Sequence, residues 1–284
     1  MEELPMQILR AAARYEPIET DGLTLYPIVV NDYDSFLTAR PALEIMHQSL
    51  PVTLMRMPLL SALYQIDFEA AVSGGHPTGL FSRTLLMLAL SLRLGEDMPP
   101  GERAKAFQIM VDPKNPSTLT LLRFKDENGD CHDITPVQYT KLRKIIAAQN
   151  GVHLESDKAN PDIVKAAKDK AAAADIELDV NIEDWISAVS ALTGTQEDEI
   201  YEWPILKFQR RSDSFRRILD YIICGIGECS GMVSWPKGNP APHPFFARAN
   251  NGNGILAAMS GSADGKAATP PGAATAIMEI TKNL

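Results

Sequence analysis

Cys224, Cys229 and His243 are the residues of this sequence that come nearest to a metal-binding set. A structural zinc site needs four ligands, and the gap between the two cysteines is within the usual range. One histidine follows and no second pair exists, so the expectation is no metal and a buried cysteine in an apolar helix. Gly225, Gly227 and Gly231 imitate a dinucleotide loop. That loop must follow a strand and open a helix. Here the glycines follow an apolar helical run and lead to prolines, which fits helix termination and no cofactor. The GECSG stretch from Gly227 to Gly231 lacks the spacing of a nucleophile elbow. Asp126, Glu127, Asp130 and Asp133 crowd a turn without the calcium-loop pattern. His76, His132, His153 and His243 fall in loops or turns with no assignable partner. An enzyme would have to bring together distant polar residues such as Asp112, Asn115, Glu228, Lys237 and His243. The sequence therefore reads as non-enzymatic.

Two stretches suggest binding instead. Lys207, Arg210, Arg211, Arg216 and Arg217 form a basic cluster. It is expected to pair with the acidic helices just upstream, or else to meet an acidic partner or phosphate. The segment SWPKGNPAPHPFF carries Trp235, Lys237, Phe245 and Phe246 among four prolines, which hold it near polyproline geometry. Its aromatics either pin it back onto the helices or offer a stiff strip to another chain, which loses little entropy on docking. Trp235, Lys237, Phe245, Phe246, Arg210 and Arg211 are the candidate partner-binding residues.

Composition narrows the classes. The net charge of -9 over 284 residues argues against a general phosphate-binding surface, so no nucleic-acid partner is expected. Between His153 and Glu202 acidic residues outnumber basic ones by roughly three to one, the pattern of a solvated helical face. Three cysteines give no disulfide framework and suit a reducing compartment. The N-terminus lacks a secretory pattern, and the most apolar run, Leu80 to Leu94, is broken by Arg83 and Arg93. A buried helix is expected there, with no membrane partner and a cytoplasmic location.

The elements that must position these residues follow from periodicity. Residues 1–17 read as an arm or short helix. Asp21-Gly22 precedes a strand expected over Leu23 to Val30, with Pro27 marking an edge. Asn31 or Asp32 caps a helix through Tyr33, Phe36, Leu37 and Leu43, which Pro41 is expected to break or kink. Leu59, Leu60, Leu63, Tyr64 and Ile66 are expected in the core, and Gly95 is expected to end the Leu80–Leu94 helix. Met46, Met55, Met57 and Met87 offer adaptable apolar surface, or simply core. Ala106–Val111, Thr118–Phe124 and a short strand at Cys131–Ile134 form a sheet, its hairpin marked by Asn128-Gly129. The edge strand from the N-terminus is expected to complete it. Thr135, Pro136 and Gln138 spell a capping box. Beyond Gly151 the sequence predicts helices only: one from Asn160-Pro161, one from Asn181 through Trp185, Ile186, Val189 and Leu192, one from the capping pattern Thr195-Gln196-Glu197-Asp198 that Pro204 is expected to kink or restart, and one from Phe215 to Ile226. The last is expected to bury Phe215, Ile218, Leu219, Ile222, Ile223 and Ile226.

Three stretches carry a family resemblance: DGLTLYPIVVNDYDSFL, ITPVQYTKLRKIIAAQNG, and the block from EIYEWPILKFQRR to SWPKGNPAPHPFFAR. Together they resemble the tail-assembly chaperones of phages and prophages of Gram-positive-type bacteria, over most of residues 18–248. The resemblance implies a protein that keeps the long, apolar, helical tape-measure chain in solution while tail subunits polymerise. Its implied partners are the tape-measure protein and/or the major tail protein, with self-association left open. The alternative it leaves is a structural tail or baseplate component of the virion. The expected architecture is α+β: an arm over 1–17, a small antiparallel sheet with helices over 18–150, an all-helical part over 151–248, and a flexible Gly/Ala/Pro-rich tail over 249–284.

Overall fold

The computed structural model describes residues 4–126, 129–155, 160–174 and 181–231. The expected tail over 249–284 lies outside them. Helix α1 (Met6–Ala13) leads to a hairpin of β1 (Ile18–Thr20) and β2 (Leu23–Leu25). The two strands are antiparallel, with Ile18 opposite Leu25 and Thr20 opposite Leu23. Asp21 and Gly22 between them both have positive φ, 52° and 77°, as a type I′ turn requires.

This corrects the expectation of one strand from Leu23 to Val30 completing the main sheet. Strand β2 stops at Leu25 and pairs only with β1, in a sheet of its own. The backbone beyond it is satisfied by other partners. Tyr26 N donates to Ser91 O at 2.7 Å, Ile28 N to Asn150 Oδ1 at 3.0 Å, and Val30 N to Trp203 O at 2.9 Å. Pro27 has no donor to give.

Helix α2 (Tyr33–Glu44) runs through Pro41 without breaking. Pro41 is exposed, as is Leu37 at the carbonyl it leaves without a donor. Water reaches that side of the helix and lowers the cost of the missing hydrogen bond. Helices α3 (Leu59–Val72) and α4 (Leu80–Leu92) follow. Between them Asp67 organises the loop: its Oδ1 accepts from Thr78 N and Oγ1 and from Gly79 N, and its Oδ2 from Phe81 N. Helix α4 ends two residues earlier than expected, with its cap at Arg93 in place of Gly95. Its left-handed cap is Arg93 at φ 56°, held by its guanidinium 4.5 Å from the Tyr26 ring centroid. A cation over an aromatic face offsets part of the cost of that backbone conformation.

Strands β3 (Gln108–Asp112), β4 (Asn115–Lys125) and β5 (Cys131–Ile134) form an antiparallel sheet in that order. Helix α5 (Pro136–Gln149) starts at the expected capping box: Thr135 Oγ1 accepts from Gln138 N and the Gln138 side chain accepts from Thr135 N. The core is built around α4, whose residues Leu85 to Leu90 are all buried. It joins Phe36 and Leu43 of α2, Leu60 and Leu63 of α3, Leu122 of β4 and Tyr139, Leu142, Ile145 and Ile146 of α5. The fold is α+β, as expected.

Tyr139 is fully buried, and burial pushes its phenol above the ordinary value, against smaller opposing pulls from Arg143 and Thr84. Its native pKa lies above its unfolded one, so the native state holds this proton more tightly. The stability tied to that proton is whole below about pH 10 and is lost as pH rises through the native value. Tyr139→Phe should therefore flatten the alkaline arm of a urea-midpoint profile above about pH 10. An unchanged slope would assign that arm to Tyr33 and Tyr64, whose pKa values burial also raises.

Beyond β5 the described elements are helical: α6 (Pro161–Ala174), α7 (Ile182–Thr193), α8 (Glu197–Tyr201) and α9 (Ile205–Cys229). Asn181 caps α7 and Gly194 ends it in the left-handed conformation. By contacts the described residues fall into two units, those of 4–166 with Asp198–Phe208, and those of 167–197 with 209–231. The start of α9 belongs with the first unit because Ile205 is buried in its core and its N–H donates to Ile28 O at 2.8 Å.

Candidate functional site

Of the polar residues first considered for chemistry, Asp112, Asn115 and Glu228 lie among the described residues. Asp112 and Asn115 spend side-chain oxygens on their own turn, accepting from Lys114 N and from Ser117 N and Oγ. Glu228 lies near the end of α9. Lys237 and His243 lie outside the described residues. Cys131, Cys224 and Cys229 are free thiols, Cys224 buried and the other two exposed. Among the described residues no three His, Cys, Asp or Glu side chains come together as metal ligands.

Two clefts in the first unit hold paired polar groups. In one, of about 200 Å³, His132 Nε2 lies 3.0 Å from Asp126 Oδ2 and its ring stacks on Phe124, with centroids 5.4 Å apart. A histidine held by a carboxylate is two-thirds of a nucleophilic triad. The lining adds Thr24 and Tyr26 but neither serine nor cysteine. Asp126 is also a turn residue, its Oδ1 accepting from Asp130 N at 2.8 Å. The pair closes the β4–β5 hairpin. The second cleft, of about 260 Å³, is lined by Asp32, Arg93, Glu96, Arg103 and Glu202. Arg103 is buried and its Nη1 lies 3.0 Å from Asp32 Oδ1. Its Nε is out of solvent reach and has no partner, so an incoming molecule cannot bond it there. This ion pair ties the turn before α2 to the 3-10 segment Pro100–Ala106.

The surface that stands out is on α9. Its first turn is buried: Ile205, Leu206 and Phe208 have little exposure, and Lys207 Nζ sits 4.0 Å from the Trp203 ring centroid. Further along, within the second unit, the helix turns apolar side chains to solvent. Leu219, Ile222, Ile223 and Ile226 are 46%, 48%, 57% and 63% exposed. Their i, i+3, i+4, i+7 spacing makes one continuous stripe. This corrects the expectation that Leu219, Ile222, Ile223 and Ile226 are core; Phe215 and Ile218 are half-buried. Helical spacing reports that one face is apolar, not that its own chain covers it. Cys224, on the opposite side of the helix, is the buried residue of this stretch.

Of the candidate partner-binding residues, Arg210 and Arg211 are placed on α9, both exposed. Arg211 and Arg216 flank the line that the stripe continues toward the helix start. Arg216 Nη2 reaches Asp213 Oδ1 at 3.0 Å, and Arg217 donates to Asp213 O and Ser214 Oγ. These contacts lie within α9. Trp235, Lys237, Phe245 and Phe246 lie outside the described residues. The sequence reading chose the arginines and missed the aliphatic stripe beside them. A signal was present: the alanine- and lysine-rich α6 offers little apolar surface with which to cover a second amphipathic helix.

No helix among the described residues is long and apolar enough to cross a membrane. No protein-family model, curated protein or solved structure matches the chain.

Proposed function

We propose that this chain is a non-enzymatic phage tail-assembly protein that holds an apolar, helical partner, the tape-measure chain, in solution by reversible contacts in the host cytoplasm. The observation that supports the reading is the α9 stripe: four large aliphatic side chains on one helix face, each about half or more exposed. Contiguous apolar surface of this kind marks interaction sites. A long helix places it well, because an amphipathic partner helix lays i, i+3, i+4, i+7 anchors into the same spacing. Arg211 and Arg216 at its margins select acidic flanks on that partner and exclude basic ones.

Co-expression with the long helical tail protein, followed by pull-down and mass spectrometry of mature particles, tests this. The expected result is a partner kept in solution by this chain, and particles without it. Fixed stoichiometry in the particle would replace the chaperone role by that of a structural tail or baseplate component. No association of either kind would overturn the assembly reading.

A further inference from the structure

We propose that the α9 face also pairs with the same face of a second copy of this chain, antiparallel, about a two-fold axis between Asp220 and Tyr221. The spacing along α9 is that of a two-helix seam. Ser212, Leu219 and Ile226 repeat every seven residues, and Phe215, Ile222 and Cys229 form the interleaved second series. In antiparallel order about that axis, each Leu219 meets Ile222 of the second copy, each Phe215 meets Ile226, and each Ser212 meets Cys229. Every layer but the outermost is apolar, and the face is self-complementary, as a two-fold contact demands.

Charge fixes the direction. From Gln209 to Arg217 the helix carries four arginines against Asp213, and from Ile218 to Cys229 it carries Asp220 and Glu228 with no basic residue. Parallel pairing would set the arginine-rich halves side by side, with Arg211 and Arg216 flanking the seam on both copies. Antiparallel pairing sets each basic half beside the other copy's acidic half and opposes the helix dipoles. The strip is short, at or below the roughly 1,200 Å² of a stable interface, so the pairing is weak and concentration-dependent. Such a pair keeps the stripe out of water until a larger partner takes it. The inference rests on the α9 face and not on the tail-assembly reading, because the purified chain alone tests it.

Sedimentation equilibrium of the full chain should show an apparent mass rising toward about twofold with concentration. Leu219→Asp should remove the rise while leaving the circular dichroism spectrum unchanged. A chain that stays monomeric at every concentration overturns the proposal and assigns the stripe to a cover from its own chain. A dimer that survives Leu219→Asp also overturns it. Direction is read by cross-linking in a Cys131→Ser background, where mild oxidation of added Ser212→Cys should join residue 212 of one copy to Cys229 of the other. A Cys229–Cys229 link in the chain without the added cysteine would mean parallel pairing and overturn the register.

Discussion

Arg103→Met is expected to destabilise the first unit by about 3–5 kcal/mol, the cost of breaking a buried ion pair from one side. Asp32 and Arg103 are only 14% and 9% exposed in their side chains and 3.0 Å apart. Without the guanidinium, Asp32 keeps a charge that water reaches poorly. The cleft then holds Asp32, Glu96 and Glu202 with Arg93 as its one remaining cation, so like charges add to the loss of solvation. The reverse change is milder. Asp32→Asn leaves Arg103 beside Glu96 and Glu202 in the same cleft, and a neutral amide still accepts a hydrogen bond. Expected Tm losses are about 6–20 °C for Arg103→Met, from roughly 2–4 °C per kcal/mol in a domain of this size, and clearly less for Asp32→Asn. The double variant Asp32→Leu with Arg103→Met should recover most of the loss, since apolar replacement of a whole buried pair is often neutral or favourable. Denaturant midpoints for the three variants check the ordering. Equal losses in both single variants would mean that Glu96 and Glu202 do not feel the site.

That ion pair was not legible in the sequence, and the reason is physical. Asp32 and Arg103 come together only when α2, with the turn before it, and the 3-10 segment after α4 both fold onto α4, and neither residue carries a local signal of burial. Local chemistry read well. The Thr135–Gln138 capping box and the Asn181 cap formed where short-range hydrogen bonding placed them. Asp21-Gly22 was recognised as a turn, yet its preceding strand is three residues long, Ile18–Thr20, too short to show an alternating pattern. Pro41 read as a break because the sequence does not reveal that its side of α2 faces water. Arg93 read as an interruption of an apolar helix, whereas it is the left-handed residue that ends it, with Tyr26 beneath its guanidinium. The α9 stripe failed differently. Its period was found and its environment was not, because periodicity cannot distinguish a face packed on its own chain from one kept for another.

That distinction sets the second large expectation: Leu219→Asp combined with Ile223→Asp should reduce capture of the helical partner at least about 100-fold while shifting the denaturation midpoint little. The two side chains are 46% and 57% exposed, and substitutions at exposed sites usually move stability by about 0.5 kcal/mol or less. Against an apolar partner helix the same carboxylates would be desolvated without a cation to meet them. A penalty of roughly 1.5–2 kcal/mol for each, well within the cost of burying an unpaired charge, gives the predicted loss at 1.4 kcal/mol per decade. Arg211→Glu separates steering from anchoring. Lying at the margin, it should slow association and weaken its salt dependence, with a smaller change in dissociation. Pull-down yield and binding kinetics at two ionic strengths give both readings. Full capture by the double aspartate variant would remove the stripe from the binding surface and shift attention to the aromatic segment after α9. Loss of capture together with loss of helical signal would mean that the stripe supports the fold of the second unit, and the exposed face would then have no separate role.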